Sequence, residues 1–240
     1  MTTGPQKNTY EVFIQSIKKW LENLGVNSKL FTEIIEDEAL PITIRALASG
    51  VLLYLQSPID LIPDKLGFLG VIDDVIVMIV GLVIITPLIP KERLNYYVQK
   101  YESIGKIDEY ERIMQETLGI LWERLVKFVE MLRTRTFKNK TTEEIVQSSE
   151  LREDLFDETM IFVANLNLDP ESLDSDFKLL PSPEKVIGLL SGGLEEAQKQ
   201  QTKDENSVSQ AKSAFKRMLL SATGKQEPEE KKSNENKLLK

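Results

Sequence analysis

Four aspartates, Asp60, Asp64, Asp73 and Asp74, crowd the stretch in front of the most apolar run of the chain. Carboxylates gathered at one point repel and raise one another's pKa unless a hard cation such as Mg²⁺ or Ca²⁺ joins them. The spacing matches no calcium loop and no nucleotide motif, so all four are metal candidates by residue type alone. Each also has a local structural role, and that reading comes first. Ser57 at an N-cap, Pro58 at the first helical position and Asp60 at the third would start a helical turn that Pro63 stops. Asp64 would fix the next turn through its side chain. Asp73 and Asp74 would fall in the first turn of the following helix, where the helix dipole favours negative charge by ~0.3–1 kcal/mol.

Little other chemistry is open to this composition. The 240 residues contain no cysteine and no histidine. Thiolate-zinc and Fe–S sites, disulfides, cysteine nucleophiles and a Ser-His-Asp triad are therefore excluded. No Gly-rich phosphate loop and no activated nucleophile is evident, so no catalytic residue and no cofactor is expected. A carboxylate–metal hydrolase is the remaining enzymatic alternative. A net charge of -8 argues against nucleic acid as a partner. Residues 1–8 are polar and lack the apolar run of a secretory leader.

The elements that would position the aspartates are all helical. Val12, Phe13, Ile17, Trp20, Leu21 and Leu24 share a face at 3-4 spacing up to Gly25, and a second helix follows through Ser28–Leu40. These helices form an amphipathic region over 1–40. An apolar hairpin region over 41–105 holds a helix opening at Pro41, a helix from Val71 to Ile89 and a helix ending at Gly105. Over 106–168, Ile107, Tyr110, Met114, Leu118, Leu121, Leu125, Phe128 and Leu132 line a long amphipathic helix that runs on to Phe137. A second, with Leu151, Leu155, Thr159, Phe162 and Leu166, follows the turn near Asn139. Two such helices read as an antiparallel hairpin, with coiled-coil self-association through 107–166 as the alternative. Region 169–240 reads as a linker, a short helix from Ser182 and a polar tail expected to be disordered. Within the tail, Ser207–Lys225 is basic and amphipathic, suited to an anionic membrane surface or to docking on the 107–137 helix. No strand pattern occurs. The expected class is all-α.

The apolar run raises the question of a membrane. Val75–Ile89 carries no charge but spans only roughly 22 Å at helical rise, short of the ~30 Å hydrocarbon layer. Arg45, Lys91 and Arg93 stand at the far ends of the two apolar helices, and the acids stand at their connection. That placement fits a hairpin with both termini cytoplasmic. Lipid contact is then expected at Val75, Ile76, Val77, Ile79, Val80, Leu82, Val83, Ile84 and Ile85. Burial of the same hairpin inside a soluble all-α scaffold is the alternative.

The stretch "YLQSPIDLIPDKLGFLGVIDDVIVM" resembles the YkvA-like domain of unknown function. Pro58, Asp60, Leu61, Ile62, Pro63, Asp64, Gly70, Asp73 and Asp74 carry the resemblance, which covers about 41–88. It implies a hairpin in or on a membrane and no particular reaction. The resulting expectation is a membrane-associated, non-enzymatic anchor or scaffold. Its partners would be the lipid membrane and a protein, or a second copy, bound through 107–166.

Overall fold

The structure, a computed structural model, describes residues 7–57, 60–62, 68–137, 139–166, 168–178 and 180–199. Pro58, Pro63, Asp64 and the tail segment Ser207–Lys225 lie outside them. α1 (Lys7–Glu22) puts Phe13, Ile17, Trp20 and Leu21 into the core. α2 (Leu24–Glu36) starts one turn of chain before the expected Ser28, because Leu24, Leu30, Phe31, Ile34 and Ile35 make one buried face. α3 (Ile42–Tyr54) opens behind Pro41, whose missing N–H suits a helix start.

α4 (Phe68–Ile85) begins three residues earlier than its apolar pattern predicts and runs on through a 3₁₀ turn to Leu88. Asp73 and Asp74 therefore lie beyond the first turn, and neither caps the helix. Phe68 and Leu69 pack against the core, which is what draws the start back past Gly70. Among the described residues α4 is central: α1, α3, α7 and α8 all pack on it.

α5 (Lys91–Lys100) and α6 (Glu102–Gly105) lead into α7 (Ile107–Leu118) and α8 (Leu121–Met131). The expected single helix from Ile107 to Phe137 is thus two, broken at Gly119 with φ 55°. A positive φ is open to glycine at little cost and interrupts helix at once. After α8 a short hairpin pairs β1 (Thr136–Phe137) with β2 (Lys140–Thr141), antiparallel, a small correction to the expected absence of strands. Asn139 takes the left-handed turn position at φ 67°.

α9 (Thr142–Gln147) starts from a capping box between Thr141 and Glu144, and α10 (Ser149–Asn165) from a Ser148 cap. The long antiparallel hairpin of 106–168 is not what forms. α10 packs on α2, α3 and α9. Its apolar residues Leu151, Leu155, Phe156, Met160, Phe162 and Val163 surround the helix axis, so no single stripe directs it to α7 and α8.

The expected linker contains α11 (Pro170–Lys178), held by Leu173 and Phe177 at i, i+4, and residues 183–199 form α12. Glu184 is held below the usual carboxylate range by a backbone N–H and the Ser182 hydroxyl at the start of α12. The described helices through Ala197 make one compact unit, so residues from 1–40, 41–105, 106–168 and 169–197 share a core.

Candidate functional site

The motif residues meet where α3 ends and α4 passes beneath the connection. α3 stops at Tyr54, and the Ser57 N–H caps back onto the Tyr54 carbonyl at 2.9 Å. The Gln56 amide donates to Thr159 Oγ1 at 2.8 Å and to the Leu155 carbonyl at 3.3 Å, pinning the end of α3 to α10. Asp60, Leu61 and Ile62 are irregular, not the helical turn expected from Ser57. Leu61 and Ile62 turn inward and are buried.

Asp73 is the centre of the arrangement and has no exposure at all. Its Oδ2 accepts from the Tyr54 hydroxyl at 2.5 Å, from Leu61 N–H at 2.9 Å and from Ile62 N–H at 3.3 Å. Leu61 N–H also reaches the Tyr54 oxygen at 3.0 Å. One carboxylate oxygen thus ties the connecting segment, α3 and α4 together. Buried N–H groups that leave helix need such acceptors, because an unsatisfied one costs about 1–3 kcal/mol. Oδ1 has no hydrogen-bond partner among the described residues.

Burial raises the Asp73 pKa to about 7; the bonds from Tyr54, Ile62 and Leu61 pull it down and the Asp60 charge pushes it up. Burial, and then the Asp73 charge, holds the Tyr54 phenol well above its ordinary value. Asp74 is buried as well, whereas Asp60 is half-buried. Among the described residues no group of three carboxylates is placed to hold a metal ion. The structure therefore brings Asp60, Asp73 and the 61–62 amides together around Tyr54.

Tyr54 is what sequence reasoning missed. A lone tyrosine at the end of an apolar helix, opposite a buried acid, was the available signal.

The basic residues at the hairpin ends have local work too. Arg45 Nε donates to the Ile35 carbonyl at 2.6 Å and its Nη2 to the Val146 carbonyl at 3.4 Å. Arg93 pairs with Asp37 at 2.6 Å, and Tyr97 donates to the same carboxylate at 2.8 Å. Both arginines thus serve the C-terminal end of α2, where carbonyls lack helical partners and positive charge is favoured. Of the nine residues expected to face lipid, Val75, Ile76, Val77, Ile79, Val80, Leu82 and Ile85 contact protein with no exposure, and Val83 and Ile84 are half-buried. An open groove of about 550 Å³ between α1 and α7 is lined by Glu11, Val12, Lys19, Lys106 and Tyr110, among others, and includes no motif residue.

The described geometry coincides with a known sequence family. Residues 44–80 match the family described as Protein of unknown function (DUF1232). The DUF1232 segment takes in α3 from Ile44, the whole connection and α4 as far as Val80, so it contains both Tyr54 and Asp73. No curated protein and no solved structure matches the chain. Phe68–Leu88, 21 residues with mean hydropathy 2.7, is long and apolar enough to cross a membrane by length and composition. The DUF1232 segment supplies most of that run.

Proposed function

We propose that this chain is a non-enzymatic helical scaffold in which the DUF1232 segment forms the enclosed core. The observation that carries this reading is Asp73. Among the described residues it is the one motif carboxylate with no exposure, and it holds two backbone amides and a tyrosine, which is the work of a structural tie. Partner binding falls to residues 107–166. Ile120 and Ile161, 81% and 61% exposed, are the most exposed large apolar side chains among the described residues, and both lie there. A partner that closed over these side chains would bury apolar surface that the chain itself leaves open.

A second reading, association with a membrane, is favoured by the length and apolarity of Phe68–Leu88. Its placement of both termini in the cytoplasm rests only on Arg45, Lys91 and Arg93 at the far ends of the apolar hairpin. At 1.5 Å per residue that helix reaches about 31 Å, enough for the hydrocarbon layer. Its C-terminal end is also its least covered part, with Leu88 56% exposed. Cell fractionation with carbonate and detergent washes separates the two. The scaffold reading predicts full-length protein in the detergent-free supernatant as a monodisperse species. Retention in the carbonate-washed pellet until detergent is added supports the membrane reading and overturns the first.

A further inference from the structure

The open groove between α1 and α7 has an apolar floor and one polar end. Val12, Tyr110 and Ile113 make the floor, and Val12 is 44% exposed there although α1 lies against the core. Val12 and Ile113 also line a neighbouring depression of about 200 Å³ beside Arg112 and Glu116, so the floor continues in that direction. In the other direction Lys19 and Tyr110 are shared with a small recess closed by Trp20, Asn27, Glu102 and Ser103.

The recess is short of hydrogen bonds. Trp20 is 1% exposed, and neither its Nε1 nor the Ser103 hydroxyl has a partner among the described residues. Trp20 stands edge-on to Tyr110, with ring centroids 5.7 Å apart. Burial raises the Tyr110 phenol above its ordinary pKa, and Lys106 and the Trp20 N–H pull it back, yet that N–H completes no hydrogen bond. Unpaired buried donors are costly, so an acceptor brought to this recess gains bonds that the chain itself does not make.

Charge gives the groove a direction. At the recess one carboxylate, Glu102, answers two ammonium groups, Lys19 Nζ at 2.7 Å and Lys106 Nζ at 2.6 Å. Lys106 and then Lys19 hold the Glu102 carboxyl at a pKa of about 2. Beyond the lysines come Glu11 and Glu109, and Arg112 farther along is paired with Glu116 at 3.1 Å. The recess end is thus net positive and the far stretch net negative. Glu102 is 61% exposed and forms one wall of the recess, so its side chain can swing into solvent and open the recess as it leaves.

We propose that this groove is a binding site for a small amphiphilic carboxylate, with its head between Lys19 and Lys106 in place of Glu102 and its apolar chain along Val12, Tyr110 and Ile113. The head oxygens take the bonds that Trp20 Nε1 and the Ser103 hydroxyl offer. A cationic head is refused by both lysines, and an uncharged head has no means of displacing Glu102. A volume of about 550 Å³ lies within the range of small-molecule sites. The groove lies outside the DUF1232 match, and the site stands or falls independently of the scaffold reading.

The test uses the full-length chain with Trp122→Phe, a half-buried position on α8, which leaves Trp20 as the only tryptophan. The probe is decanoate below its micellar range. Decanoate should shift Trp20 emission saturably, whereas decanol should bind at least about five-fold more weakly and decyltrimethylammonium not at all. Glu102→Gln frees both lysines and should tighten decanoate binding by about two- to five-fold. Ser103→Ala should weaken it by about two- to ten-fold. Val12→Glu, at an exposed position, should abolish binding with the melting temperature unchanged. The site is overturned if decanoate gives no saturable shift, if decanol matches it, or if Val12→Glu still binds. It is equally overturned if Glu102→Gln weakens decanoate or leaves its affinity unchanged.

Discussion

The DUF1232 segment and the 107–166 region are both helical, and they use polar residues in opposite ways. In the first, Tyr54, Asp73 and Asp74 are buried, and Asp73 has named backbone partners. In the second, charges lie on the surface in local pairs such as Arg112 with Glu116 at 3.1 Å, and α7 packs through its apolar face. A buried polar group acts through the bonds it completes, whereas a surface pair contributes little. Changes in the first region should therefore be costly and specific, and changes on the second region's surface nearly silent.

The largest contrast is in apolar truncation. Ile76→Ala empties a fully buried position on α4 and should cost about 2–5 kcal/mol. Ile161→Ala, at a position 61% exposed, should fall within about 0.5 kcal/mol of the parent. Urea midpoints at constant slope measure both, and equal losses would break the comparison.

A smaller effect is expected from the tyrosine. Tyr54→Phe removes the hydroxyl from Asp73 and from Leu61 N–H, and should cost about 1–3 kcal/mol. Tyr96→Phe on exposed α5 should change stability by less than about 0.5 kcal/mol. Thermal melts of the two variants side by side are sufficient.

The Asp73 carboxyl also sets a pH dependence. Its folded pKa, raised to about 7, lies above the unfolded value near 3.9. Between those values the folded chain holds a proton that the unfolded chain has released, so the contribution of Asp73 to stability falls as pH rises from about 4 to about 7. Asp73→Asn should flatten that part of the profile relative to the parent, because the amide oxygen still accepts from Leu61 and Ile62. If parent and variant keep the same slope in this window, Asp73 does not titrate there.

Much of this fold can be read from spacing alone. The all-α class, the helix opening behind Pro41 and the apolar run of α4 follow from local pattern. Other features depend on partners far away in sequence. Phe68 and Leu69 extend α4 upstream because the core receives them, which moves Asp73 and Asp74 out of the first turn. Tyr54 and Asp73 are 19 residues apart, and only the crossing of α3 and α4 brings them together. Gly119 lies within a helical pattern, and the pattern does not reveal that its φ is positive. α10 has no dominant stripe, so periodicity could not say that it packs on α2 and α3. Local pattern specifies elements; the burial of individual polar groups is settled by which elements meet.

The central claim is that protein, not lipid, surrounds α4. The chain has no cysteine, so single-cysteine variants give clean labelling sites. Val77→Cys lies at a fully buried position on α4, and Ile161→Cys at an exposed one on α10. With a water-soluble maleimide and then a lipid-dissolved photoreactive probe applied to cell extracts, the account predicts rapid maleimide labelling at 161. It predicts no labelling of 77 by either reagent until the chain is unfolded in urea. Labelling of 77 by the lipid-dissolved probe in native membranes would contradict it.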